Sequence, residues 1–274
     1  MNRADAHIHL FATGYPGRYG RSPAGADELA AYQDLRAAHG IGRALVVGYE
    51  AEPRFAGNNA HLAALAADHD WIAPVAYVPP SGVADLAHLR DFAGLSAYLA
   101  DLDAAQAFEG WVRRHAATLN ATGAIVSLNA TPVATAGLAR TVAALDGCTI
   151  LFSHLGLPGP HAVPPTHAEA AQTLAPLLAL AGGPHVGVKI SGLYAVSDPS
   201  YAYPHTAALP FILTLLERFG PDRLYWGSDF SPSLDHVSFP QTLHPIGLAG
   251  LAPDEAEAVY GGNLLRALER RYGG

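Results

Sequence analysis

The sequence has 274 residues, half of them hydrophobic, with 15% charged residues and a formal net charge of −8. So sparse and acidic a balance argues against nucleic acid as a partner, because phosphate binding needs a basic patch. A lone cysteine, Cys148, excludes an internal disulfide, and with neither a basic-then-apolar leader nor an apolar run of about 18 residues the expectation is a soluble, cytoplasmic protein without a membrane partner.

The chain opens on Ala4 to Leu10, which reads as a strand with polar residues at every second position. Alternation puts Asp5, His7 and His9 on one face and Ala6, Ile8 and Leu10 on the other. Phe11 to Gly25 is rich in Gly, Tyr, Arg and Pro and holds neither helix nor strand. It reads as a lid, a binding loop or a plain surface loop. Asp27 to Gly40 reads as a helix, and Arg43 to Tyr49 as a strand buried on both faces. The pattern then repeats. Strands are expected at Trp71 to Val78, Leu95 to Leu99, Ala124 to Leu128, Thr149 to Ser153, His185 to Ile190 and Leu224 to Gly227. Helices are expected at Asn58 to Asp70, Ala84 to Phe92, Glu109 to Asn120, Thr135 to Leu145, Thr166 to Ala181, Thr206 to Phe219 and Asp254 to Tyr272. Pro176 should kink the Thr166 helix or delay its start. Strict alternation implies a parallel sheet. Eight units in this length fit a closed (β/α)8 TIM barrel, one domain over residues 1–274.

In such barrels chemistry sits where the strands end. His9 closes the first strand, His154 the sixth and Asp229 the eighth, while Lys189 lies in the seventh. Each alone has a plain structural explanation: a loop contact for His154, a helix cap for Asp229, a snorkelling stem for Lys189. Together at one rim they read as a site. His7 and His9, about 7 Å apart along the backbone, can converge on one ion at roughly 2.0–2.1 Å per Zn–N bond. Lys189, Arg54, Tyr49, Tyr77 and Tyr194 are candidates to hold a substrate carboxylate or hydroxyls, and His205 is a candidate to reach the mouth from the loop after the seventh strand.

At these residues the chain resembles the amidohydrolase superfamily. The closest likeness is to the amidohydrolase-2 branch that contains the 2-pyrone-4,6-dicarboxylate hydrolase group and similar lactonases. The likeness is carried by His7-Ile8-His9, His154-Leu155-Gly156-Leu157-Pro158, Val188-Lys189-Ile190-Ser191-Gly192-Leu193, Gly227-Ser228-Asp229 and Gly262-Asn263 with Arg266. It implies a hydrolase with Asp229 and His154 as catalytic residues. It also implies a divalent ion, zinc first, held by His7, His9 and Asp229 with His154 as ligand or hydrogen-bonding partner. Asn263 is implied to be structural.

Two departures bear on this. Strand four offers Tyr98 and Asp101 where many members carry a metal-bridging lysine or glutamate, and Asn129 stands where many carry a histidine. The donors left suffice for a mononuclear site, and some lactonase-like members work without tightly held metal. Three functions follow as expectations: hydrolysis of a small, carboxylate-bearing or plain lactone or cyclic ester; a metal-dependent decarboxylation on the same barrel; and a barrel that binds without catalysing.

Overall fold

A computed structural model describes residues 2–83 and 85–273. Eight parallel strands pair in chain order: β1 (Arg3–Ile8), β2 (Ile41–Val47), β3 (Ile72–Tyr77), β4 (Gly94–Leu99), β5 (Ile125–Ala130), β6 (Thr149–Phe152), β7 (Val186–Ile190) and β8 (Leu224–Trp226). The ring closes where Ile8 bridges Phe230 and the Asp229 amide donates to the His7 carbonyl at 2.8 Å. The fold is a (β/α)8 TIM barrel.

Alternation along the strands makes two apolar layers. Ala4, Ala6, Leu45, Val47, Val75, Ile125 and Leu151 fill the barrel interior, and Leu264 and Leu268 of the last helix plug its floor. The intervening residues, such as Val46, Val126, Ile150 and Val188, face outward to Leu62, Phe108, Leu174 and Phe211 on the surrounding helices. These helices are α1 (Glu28–His39), α2 (Asn58–Asp68), α3 (Leu102–Ala121), α4 (Pro132–Thr135), α5 (Ala139–Ala144), α6 (His167–Leu178), α7 (Leu209–Phe219), α8 (Phe239–Thr242), α9 (Pro253–Glu257) and α10 (Asn263–Tyr272).

The structure corrects several sequence expectations. Asp5 does not share a face with the two histidines. Between Asp5 and Ile8 the register against β2 slips, so that three steps along β1 match two along β2 (Asp5↔Ala44, Ile8↔Val46). This bulge lets Ala6 and His7 both turn inward and leaves Asp5 pointing outward to the Tyr32 hydroxyl of α1, which donates to it at 3.0 Å. The helix expected over 84–92 reduces to a 3-10 turn at Ala87–Leu89, and Ala84 lies outside the described residues. Here Gly82 at φ +80 lies against Trp111, whose indole donates to the Val83 carbonyl at 2.8 Å, so the chain is drawn onto α3 instead.

The helix expected from Glu109 starts at Leu102, because Asp101 caps it by accepting from the Ala104 amide at 2.9 Å. The 135–145 helix divides into α4 and α5 around Gly137. Pro176 falls in the last turn of α6 and the helix passes through it. The closing helix is interrupted by a π-turn at Ala258–Gly262, where Gly261 lies so close to the Asn2–Ala4 backbone that a Cβ would collide with it. Asn263 has a structural role: its amide donates to the Pro221 and Leu224 carbonyls at 2.8 and 2.7 Å.

Candidate active site

The inward positions become polar toward the carboxyl ends of the strands. Lys189 follows Gly187 on β7, Ser127 follows Ile125 on β5, and Ser153 follows Leu151 at the end of β6. Lys189 is fully buried; its Nζ donates to Ser127 Oγ at 2.7 Å and lies 3.1 Å from His7 Nδ1. Ser153 Oγ stands 3.5 Å from the same His7 nitrogen. Gly227 makes room for His7, since a Cβ there would lie 2.8 Å from the His7 Cβ.

Above this polar layer three side chains converge. His7 Nε2 is 3.2 Å from His9 Nε2, and Asp229 Oδ1 is 3.7 and 4.0 Å from these two nitrogens. His9 Nδ1 lies 2.8 Å from the Val47 carbonyl, which accepts its N–H and leaves the Nε2 lone pair facing inward. The point equidistant from the three atoms lies about 2.1 Å from each, within the roughly 2.0–2.2 Å of a zinc bond to imidazole or carboxylate. All three residues are buried. They fit one divalent ion in distance and donor chemistry, provided the His7 proton sits on Nδ1.

His154 stands outside this trio. Its Nδ1 is 3.0 Å from Ser191 Oγ and 3.9 Å from the other Asp229 oxygen, Oδ2. Of the two roles open to it, this position favours hydrogen-bonding partner over ligand. It sits in a left-handed turn, with φ of 51 at His154, 58 at Leu155 and 54 at Leu157. Gly192 permits the approach of β7, because a Cβ there would run into the His154 ring.

Burial sets the protonation states. It raises the Asp229 carboxyl to about 6, against the pull of His9, Tyr194 and Lys189. It lowers His9 and His154 to about 4 and drives His7 well below its ordinary value, with Lys189 adding to the effect at each ring. Burial also brings Lys189 down to about 7, opposed by Asp229 and Asp5. At neutral pH the site therefore holds neutral imidazoles around one carboxylate.

The structure sorts the expected substrate-holding residues. Tyr49, Tyr77 and Tyr98 form one aromatic wall, with ring centroids 4.7 to 6.1 Å apart. Burial and then the Asp229 charge raise the Tyr98 hydroxyl, placing that ring within the carboxylate's field. Tyr194 does not stand free for substrate: its hydroxyl donates to Asp229 Oδ2 at 2.8 Å. Arg54 is paired with Glu52 at 2.7 Å and lies over the Phe55 ring. Lys189 lies beneath His7, away from any mouth. His205 lines a small cavity of about 30 Å³ together with Tyr194, Tyr203 and Ser233. Sequence reasoning missed Ser127 and Ser153, although a polar residue at the inner phase of an apolar strand is a usable signal.

A family profile described as amidohydrolase matches residues 4–270. No curated protein matches the sequence. Among solved structures, a zinc-bound amidohydrolase from Burkholderia multivorans is similar at 23% identity and TM-score 0.80, covering 98% of this chain and 99% of its own. A protein of Pseudomonas putida, provisionally named 2-pyrone-4,6-dicarboxylic acid hydrolase, aligns at 23% identity and TM-score 0.71 over 98% of both chains. A 2,6-dihydroxybenzoate decarboxylase aligns at 13% identity and TM-score 0.62, covering 98% of this chain and 99% of its own. At these identities the structural likenesses speak for the fold.

Proposed function

The chain belongs to the amidohydrolase family, and from that premise we propose that it hydrolyses a small lactone or other cyclic ester, with Asp229 as the general base. The observation that carries this reading is the Asp229 carboxylate itself. It is buried, raised to about 6, and aimed by Oδ1 at the two imidazoles. A base poised near the working pH is ionised and still able to take a proton.

Asp229 accepts a proton from water as the water oxygen attacks the ester carbonyl carbon. His154, neutral and next to Asp229 Oδ2, donates an N–H toward the carbonyl oxygen as negative charge gathers there. As the ring C–O bond breaks, Asp229 returns its proton to the leaving oxygen. The product is a hydroxy acid, with one water consumed and the base regenerated. An alkoxide leaves far more readily than an amide nitrogen, which favours an ester over an amide. A divalent ion held by His7, His9 and Asp229, zinc by the donor set, supplies Lewis-acid polarisation and a more acidic water.

The wall of Tyr49, Tyr77 and Tyr98 offers ring faces and hydroxyls to the substrate. Arg54 and Lys189 are both engaged elsewhere, which supports an uncharged ring over a carboxylate-bearing one. The test is a panel of simple lactones followed by pH-stat, with gas analysis on aromatic carboxylic acids alongside. Acid release without gas supports the proposal. Carbon dioxide release would support decarboxylation, and silence on both would leave a binding barrel.

A further inference from the structure

We propose that His236, in the loop after β8, is a positioning residue for Asp229 and acts through the Tyr194 ring. His236 touches neither the trio nor His154. Its ring lies flat on Tyr194, centroids 4.2 Å apart and planes 8° from parallel. Tyr194 in turn gives its hydroxyl to Asp229 Oδ2 at 2.8 Å. That bond engages one carboxylate oxygen and turns the other, Oδ1, toward His7 and His9. Without it the carboxylate could rotate about its terminal torsion, which is broad and two-fold.

The ring that presses on Tyr194 is itself fixed from two other loops. His236 Nδ1 accepts from Ser200 Oγ at 2.9 Å, in the loop after β7, and from Arg18 Nη2 at 3.1 Å, in the loop after β1. A nitrogen accepting from a guanidinium carries no proton, so His236 is a neutral ring with its hydrogen on Nε2. The β1 loop is bound at the same place a second time, by the Arg18 amide donating to Asp235 Oδ2 at 2.7 Å. Its base is bound by the buried Glu28 carboxylate, which accepts from the Phe11 and Tyr15 amides and the Ser22 and Ser231 hydroxyls. Three loops from three strand ends thus meet at one imidazole, and its free face holds the phenol on the base.

This inference rests on the role given to Asp229, so its test includes an arm that needs no substrate. His236→Asn keeps an acceptor for Arg18 and Ser200 and removes the flat face. His236→Phe keeps the face and removes the acceptor. In a crystal structure of His236→Asn the Tyr194 hydroxyl is expected to leave Asp229 Oδ2; the bond surviving at 2.8 Å would overturn the proposal.

With δ-valerolactone, kcat of His236→Asn is expected to fall about 10- to 100-fold with KM nearly constant, the scale of a misplaced reacting group. His236→Phe should keep most of the rate. In a Tyr194→Phe background, His236→Asn should cost almost nothing more, because the hydroxyl it serves is gone. Multiplying effects in the double variant, or loss in Phe with retention in Asn, would refute the mechanism. Inactivity of the unsubstituted protein on lactones would sink the proposed reaction, and the crystallographic arm would still decide the placement.

Discussion

Asp229→Asn separates the catalytic demand on this carboxylate from its effect on stability. Burial raises its pKa from 3.8 to about 6. Two effects follow, with opposite signs. The proposed reaction needs the carboxylate ionised. In chelator-treated protein about nine-tenths is ionised at pH 7 and about one-tenth at pH 5, so kcat/KM should fall roughly tenfold across that span. Asn cannot accept the proton, and the variant should lose about 10²- to 10⁴-fold at pH 7.

For stability, a carboxyl whose folded pKa is raised favours folding below the unfolded value, and that advantage is lost as pH rises through about 6. A shift of this size corresponds to about 3 kcal/mol at roughly 1.36 kcal/mol per unit. Asn escapes that loss. The variant should therefore melt several degrees above its parent at pH 7 and level with it at pH 4. Asp5, also raised to about 6, titrates in both proteins and cancels in the difference. Urea unfolding at four pH values and a lactone pH–rate profile make the measurement. A flat rate profile from pH 4 to 7, together with an unchanged stability gap, would show that Asp229 is neither strained by burial nor acting as the base. Added zinc should pull the bend below 6, since an ion on the carboxylate favours its charged form.

Three further outcomes are expected. Lys189→Met removes an amine 3.1 Å from His7 Nδ1 whose pKa of about 7 leaves it protonated in about half the molecules at pH 7, and leaves Ser153 Oγ to accept that ring's N–H, so zinc affinity by calorimetry should rise about tenfold at pH 6 and about twofold at pH 7; weaker or equal binding at pH 6 would contradict the charge argument. Gly192→Ala combines a φ of +61 with a collision at the His154 ring, and should lower activity about 10- to 100-fold and stability by about 1–3 kcal/mol, read by lactone turnover and urea unfolding. Glu28→Gln turns a buried four-bond acceptor into a half-donor facing N–H and O–H groups; it should cost about 1–3 kcal/mol and speed proteolysis within residues 11–25 more than elsewhere.

The barrel was legible in the sequence because period-2 and period-3.6 patterns are local. So was the extent of α1 to within a residue at each end: Asp27, read as its first residue, caps it instead by accepting from the Ala30 amide at 3.0 Å. Where the pattern misled, a distant contact prevailed. Trp111 drew the 83 region onto α3 and displaced a helix, and the β1 bulge reversed Asp5 by one step of register against β2. Arg18 and His236 carry no signal of their own, because their partners lie 218 residues apart in sequence.

By itself the order of residues determined that eight strands would alternate with helices, and that His7, His9, His154 and Asp229 would stand near strand ends, because backbone alternation and strand length are set within a few residues. Only the closed barrel decided that three of the four converge, that Lys189 lies under His7 rather than at the mouth, and that Tyr194 gives its hydroxyl to Asp229. Those outcomes depend on which strands become neighbours and how far burial strips water from each charge, and neither is a property of any single stretch of chain.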